Sequence, residues 1–257
     1  MQTIKNRVAL ITGASSGIGQ ATAILFAQNQ ARLILAARRT DRLEKLVSML
    51  KSEHKIEVHY FSLDVRNQKH VAEKIDSLPD EWKKIDILIN NAGLSRGLDK
   101  LHEGKILDWE EMIDTNVKGL LYVSREVIPG MIKRGRGDIV NIGSIAGHEV
   151  YPGGSVYCAS KHAVDAITKG MQIDLVDTPI RVCTVDPGMV ESEFSVVRFR
   201  GDQKRADKVY TGIKPLSPDD VAEAILFCVT RPPHVNIHQL RIMPTAQASA
   251  TIAYRKI

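Results

Sequence analysis

Val8-Ala9-Leu10-Ile11-Thr12-Gly13-Ala14-Ser15-Ser16-Gly17-Ile18-Gly19 runs from an aliphatic stretch, through a turn of small residues, into helical spacing that continues to Gln28. A short apolar run closed by glycine reads as a strand covered on both faces. Gly13, Gly17 and Gly19 let the backbone turn sharply and approach a pyrophosphate. The first amides of the next helix, aided by its dipole, attract phosphate. The spacing is TGxxxGxG, not the commoner GxGxxG, so this stretch alone also allows a tight turn with no ligand.

Working outward, the same alternation recurs. Arg32 to Ala37, Glu57 to Leu63, Ile85 to Asn90, Asp138 to Ser144 and Ile180 to Asp186 read as further strands. Ile18 to Gln28, Asp41 to Ser52, Gln68 to Ser77, Asp108 to Arg134, Val156 to Val176 and Asp219 to Val229 read as helices. Strand and helix in alternation, with short connections, predict one doubly wound α/β domain, a parallel sheet with helices on both faces. No repeat or low-complexity linker divides it. Pro187 to Pro218 is rich in charge and poor in aliphatics, and reads as a long irregular, mobile flap over about residues 189–216.

Composition narrows the function classes. The 257 residues are 44% hydrophobic and 25% charged, enough to bury a sizeable core. Lysine and arginine total 35 against 30 acids, a surplus of +5, while aromatics are only 5%. Nucleic-acid binding wants clustered charge interleaved with stacking rings, so no nucleic-acid partner is expected. No segment approaches the roughly 18 unbroken apolar residues of a membrane span, and the first apolar run stops at the glycine turn, unlike a signal peptide. The three cysteines, Cys158, Cys183 and Cys228, form no CxxC pair and no metal-ligand spacing. The expectation is a soluble chain in a reducing, cytoplasmic compartment, without a metal.

Further motifs carry chemistry. The second strand ends Leu35-Ala36-Ala37-Arg38-Arg39, where an acid would prefer the free 2′-hydroxyl of NAD. Arg38, with Arg39 and the Ser15 hydroxyl, suits a 2′-phosphate and points to NADP; two solvated arginines before a helix are the alternative. Asp64-Val65 closes the third strand, either accepting from an adenine amino group or simply ending the strand. Ser144 ends the fifth strand, and Tyr157 and Lys161 lie four apart on one helical face. A phenol titrates near pH 10, but a nearby ammonium and an oxidised nicotinamide stabilise its phenolate, so Tyr157 can exchange a proton with an alcohol or carbonyl.

Asn90-Asn91-Ala92-Gly93 follows the fourth strand, Asn116 sits alone in a long helical segment, and Pro187-Gly188 follows the sixth strand. With TGxxxGxG, NNAG, the helix asparagine, the serine, YxxxK and Pro-Gly in this order, the sequence resembles the short-chain dehydrogenase/reductase family over essentially its whole length. The resemblance implies one Rossmann domain spanning 1–257, with a sheet of about seven strands. It implies a tetrad: Tyr157 as general acid or base, Ser144 orienting the carbonyl, Lys161 binding the nicotinamide ribose and lowering the tyrosine's pKa, and Asn116 anchoring a water relay. It implies NADP(H) contacts from Gly13, Ser15, Ser16, Gly17, Ile18, Gly19, Arg38, Arg39, Asp64, Val65, Asn91, Ala92, Gly93, Tyr157, Lys161, Pro187, Gly188, Val190 and Ser192.

Pro187 to Gly201, Pro218 to Ala222 and Arg241 to Gln247 are similar to a narrower branch that oxidises small 3-hydroxy acids with NADP. Its substrates are serine, L-allo-threonine, 3-hydroxyisobutyrate and 3-hydroxypropionate, and it reduces malonic semialdehyde. Such enzymes are usually homotetramers, with the helices carrying Asn116 and Tyr157 at subunit contacts. A small carboxylate needs a cation in a confined pocket, which makes Arg198, between Val197 and Phe199, a candidate beside Ser144 and Tyr157. The alternative is a solvated arginine among Arg200, Lys204, Arg205 and Lys208. His148 and Tyr151 either border the substrate or pack the loop, and Lys133, Arg134 and Arg136 suit a helix C-terminus without any ligand. The tail from Gln247 to Ile257 is a candidate cover for a neighbouring subunit's site. Rival functions are reduction of a 3-oxoacyl thioester, sugar, steroid or xenobiotic ketone, or NADP(H) sensing without turnover.

Overall fold

Strands β1 (Val8–Thr12), β2 (Arg32–Ala37), β3 (Val58–Ser62), β4 (Ile85–Asn90), β5 (Gly137–Ile142), β6 (Ile180–Pro187) and β7 (Gln239–Ile242) join in one sheet of order β3-β2-β1-β4-β5-β6-β7. The computed structural model describes residues 2–256. Every pairing is parallel, with Leu10 opposite both Ile34 and Leu88. The long apolar strands arise because helices cover both faces: every residue of β1, β4 and β5 is buried. β7 escapes the sequence pattern because this edge strand is short and its residues alternate between exposed and half-buried.

Around the sheet lie α1 (Gly17–Gln28), α2 (Thr40–His54), α3 (Gln68–Asp76), α4 (Ile106–Ile113), α5 (Gly119–Arg134), α6 (Ser155–Asp174), α7 (Phe194–Arg198), α8 (Gln203–Val209) and α9 (Pro218–Val229). Alternate strand residues point to opposite faces. Ile11, Leu33 and Leu35 pack with Phe26 of α1 and Ile225 of α9. Leu10 and Ile34 pack on the other face with Val71 of α3 and Val127 of α5. No helix among the described residues is long and apolar enough to cross a membrane.

Two expectations need correction. The single helix expected from Asp108 to Arg134 is interrupted by a π-helical turn, Asp114–Lys118, in which the Gly119 amide bonds the Asp114 carbonyl. Asn116 sits in that turn with its side-chain amide hydrogen-bonded outside the helix, a feature that hydrophobic periodicity does not register. The stretch expected to be irregular contains α7 and α8. The Asp202 carboxylate caps α8 by accepting from the Arg205 amide at 3.1 Å. The flap is pinned to the body: the Gly97 amide donates to the Arg198 carbonyl at 3.0 Å, and Arg200 pairs with Asp108 of α4.

The described part of the tail makes backbone bonds within the chain. The Tyr254 amide bonds the Ala246 carbonyl and the Lys256 amide bonds the Gly212 carbonyl, each at 2.8 Å. Ile257 lies outside the described residues. β1 and β4 are neighbours although distant in sequence, and the chain winds outward from them in both directions. A cleft opens beyond their C-terminal ends at this reversal.

Candidate active site

Gly13, at the end of β1, has φ +65°, and a Cβ there would stand 2.8 Å from Asn91 Nδ2 and 2.9 Å from Ala92 Cα. Only glycine fits this left-handed, crowded position. The crowding comes from the asparagine turn after β4. Asn91 Nδ2 donates to the Thr12 and Gly13 carbonyls at 2.9 and 3.2 Å, and Thr12 Oγ1 accepts the Asn91 and Ala92 amides at 3.0 Å each. Asn91 therefore shapes the glycine turn with its side chain. Ser16 precedes α1 but makes no side-chain cap, and the first turn of α1 holds no acid. Its amides and dipole are directed at a cleft of about 310 Å³ lined by Gly13, Arg39, Gly93, Tyr157 and Gly188 among others.

At the mouth of the cleft, Arg39 reaches back to the glycine turn: Nη2 donates to Ser16 Oγ at 2.7 Å and Nε to Ser15 Oγ at 3.3 Å. Arg38 lines the cleft as well, with Nη1 4.0 Å from a Glu111 carboxylate oxygen. The structure thus brings Arg39, not Arg38, to the serines. Asp64 and Val65 do line the cleft. Hydrogen bonds from Arg66, at 2.6 and 2.9 Å, hold the Asp64 carboxyl below its ordinary pKa despite partial burial.

Deeper in, Ser144 follows β5 and its Oγ accepts the Ala146 amide at 3.1 Å, which orients the hydroxyl. Tyr157 and Lys161 are buried on the first turns of α6. Burial pushes the Tyr157 phenol well above its ordinary pKa, and the nearby Arg198 cation and Ser144 hydroxyl oppose the shift. Burial also lowers Lys161, to about 8, against the pull of the Asp186 carboxylate. Lys161 Nζ lies 6.0 Å from the Tyr157 ring centroid and donates to the Ile142 carbonyl at 2.8 Å. Asn116 Nδ2 donates to the Leu94 carbonyl and to Ser160 Oγ, both at 2.9 Å, and its Oδ1 accepts the Leu94 amide at 2.8 Å. These bonds fasten the π-helical turn to the base of α6.

Sequence reasoning missed Asp186. It is buried at the end of β6, where His148 Nε2 meets Oδ2 at 2.8 Å, Gln239 Nε2 donates to Oδ2 at 2.6 Å and Thr184 Oγ1 donates to Oδ1 at 2.5 Å. A charged residue closing an apolar strand was the available signal. His148 thus braces the loop against β6 and does not face the cleft. Because Asp186 supports the charged form of Lys161, Asp186→Asn is expected to shift the lysine's loss of charge to lower pH. The alkaline limb of a pH-rate profile should move down accordingly; an unmoved limb would contradict this coupling.

The short chain dehydrogenase family model matches residues 7–202 of this chain. The chain belongs to that family. NADP-dependent 3-hydroxy acid dehydrogenase of Schizosaccharomyces pombe is 46% identical over 257 residues, covering 100% of this chain and 99% of the relative. Sulfoacetaldehyde reductase 2 of Chromohalobacter salexigens is 44% identical over 247 residues, 96% and 97% of the two chains. The closed form of serine dehydrogenase complexed with NADP+ superposes with a TM-score of 0.90 at 43% identity, covering 97% of this chain and all of that one.

In this short-chain dehydrogenase the flap places a cation beside Tyr157. Arg198 Nε donates to Ser95 Oγ at 3.0 Å and Nη2 to the Tyr151 hydroxyl at 2.8 Å. Its Cζ stands 5.4 Å from the Tyr157 ring centroid and 5.1 Å from that of Phe194. Tyr151 holds the arginine, a role that neither sequence alternative for Tyr151 described.

Proposed function

We propose that the chain is an NADP(H)-dependent oxidoreductase that moves a hydride between the nicotinamide and the 3-carbon of short 3-hydroxy acids. The observation that carries this reading is Arg198, a guanidinium clamped by Ser95 and Tyr151 over the Tyr157 ring, where a carboxylate beside the reacting carbon would be met. The crowded Gly13, the α1 amides, and Arg39 with the two serines fit a dinucleotide with a 2′-phosphate; Pro187, Gly188, Val190 and Ser192 line the nicotinamide end. Bound there, the cofactor supplies or accepts the hydride.

The chain's own residues handle the proton and the geometry. Tyr157, kept protonated by burial, donates from Oη to the carbonyl oxygen in reduction and takes the proton back in oxidation. Ser144, whose oxygen already accepts an amide, has its proton to offer to the same substrate oxygen or to the phenolate. Lys161 holds positive charge beside the phenol, and the Asn116 turn, through Leu94 and Ser160, keeps the end of the relay in register with α6.

The reading includes a homotetramer in a reducing cytoplasm. Exposed Leu121 of α5 and Ile173 of α6 support the assembly, and the three cysteines are buried and free. One second reading has a specific support: a sulfonate offers the same acceptor oxygens to Arg198, and a relative carries the name sulfoacetaldehyde reductase. Initial rates of cofactor reduction with serine, allo-threonine, 3-hydroxyisobutyrate, 3-hydroxypropionate, isethionate and propanol, with NADP and NAD side by side, test both. Turnover of the carboxylates is expected, with NADP preferred by at least about 10-fold through Arg39. Isethionate outrunning every carboxylate would favour the second reading, and equal rates with NAD would remove the cofactor assignment.

A further inference from the structure

Arg39 and Arg42 lie three residues apart at the start of α2, so their guanidinium groups face the same side. The anion between them belongs to the flap. Glu193 Oε2 accepts from Arg39 Nη1 at 2.9 Å, and Oε1 accepts from Arg42 Nη1 at 2.5 Å. The same Arg39 bonds Ser15 and Ser16, so Glu193, two arginines and two serines form one cluster at the rim of the cleft. Glu193 occupies the position that begins α7 but does not cap it; Ser192 Oγ takes the Phe194 amide instead, at 3.3 Å. The carboxylate is thus committed to the arginines. Partial burial opposes its charge, yet the Arg42 and Arg39 hydrogen bonds hold its pKa below the ordinary carboxylate value.

We infer that Glu193 is a specificity-determining residue that competes with the 2′-phosphate of the cofactor for Arg39 and Arg42, so that NADP displaces it while NAD leaves it in place. The inference rests on the NADP reading and deepens it. A phosphate monoester carries more charge than one carboxylate and offers three acceptor oxygens, so it wins the guanidinium groups at close range. Glu193 is about two-fifths exposed, which keeps its hold modest and reversible. Displacement has a reach beyond the cofactor, because Glu193 begins the helix that ends at Arg198. Freeing that helix start couples the adenosine end of the cleft to the cation over Tyr157, and linkage makes the coupling reciprocal.

Calorimetry with 2′,5′-ADP and with 5′-AMP reads this on the full chain without turnover. The unaltered protein is expected to bind 2′,5′-ADP more tightly than 5′-AMP. Glu193→Gln should bind 2′,5′-ADP about 3- to 10-fold more tightly again, the scale of two half-exposed ion pairs, with 5′-AMP unchanged. In hydrogen exchange, 2′,5′-ADP but not 5′-AMP should speed exchange of the amides at 193–198 in the unaltered protein, a measurement that needs no variant. Equal changes for both ligands, weaker 2′,5′-ADP binding in Glu193→Gln, or flap exchange indifferent to the 2′-phosphate would overturn the role of Glu193. If the unaltered protein binds the two nucleotides equally, the NADP reading itself falls.

Discussion

Tyr157→Phe should lower turnover by about two to four orders of magnitude in either direction, the usual share of general acid-base catalysis, while NADPH binding stays near its original strength. The substitution conserves volume at a buried position against Leu94, Met112 and Ala146, so the fold should tolerate it. Only the hydroxyl, and with it the transferable proton, is removed. The sign of the pH dependence follows from burial, which raises the Tyr157 phenol above its ordinary pKa. Reduction needs the protonated phenol, so its alkaline limit is the loss of charge on Lys161, which burial lowers to about 8, and not the phenol itself. Oxidation needs the phenolate, so its rate should climb with pH until Lys161 loses its charge. Steady-state rates from pH 6 to 10, alongside NADPH fluorescence titration, check both. Near-full turnover in the variant would remove Tyr157 from the chemistry.

Arg198→Ala is the second large effect. Hydrogen bonds to a charged partner contribute about 1.5–3 kcal/mol, so kcat/KM for 3-hydroxy acids should fall about 10- to 100-fold. The arginine also favours the Tyr157 phenolate and ties Ser95 to Tyr151, and losing those contacts affects every substrate. The diagnostic quantity is therefore a ratio. An uncharged alcohol shares the general loss but not the loss of a carboxylate partner. A drop of the same size on both substrates would leave Arg198 as flap packing.

The glycine turn and the strand-helix alternation were legible because each is local, a few neighbouring residues or a strand and the turn after it, whereas Asn116, Ser144, Tyr157 and Lys161 stood out only through the order of motifs along the whole chain. What was missed lies across the chain. Asp186 meets His148 and Gln239, which come from a loop after β5 and from edge strand β7. Nothing near Asp186 in sequence announces either. Arg38 and Arg39 illustrate a phase problem: adjacent residues at a strand end diverge, and only the packed structure shows that Arg39 turns to Ser15 and Ser16 while Arg38 turns toward Glu111. The π-helical turn around Asn116 was hidden because one extra residue barely disturbs hydrophobic periodicity. The flap looked irregular because α7 and α8 are too short to show a period, and long-range bonds such as Gly97 to Arg198 hold it in place.

The most direct test of a carboxylate-directed dehydrogenase site is the ratio of kcat/KM for NADP-dependent oxidation of 3-hydroxypropionate to that of 1,3-propanediol by the unaltered protein. The two substrates share the reacting CH–OH and differ in whether Arg198 has an anion to meet. A preference for the acid of about 10- to 100-fold is expected from one charge-assisted contact. Equal values, or a preference for the diol, would contradict it.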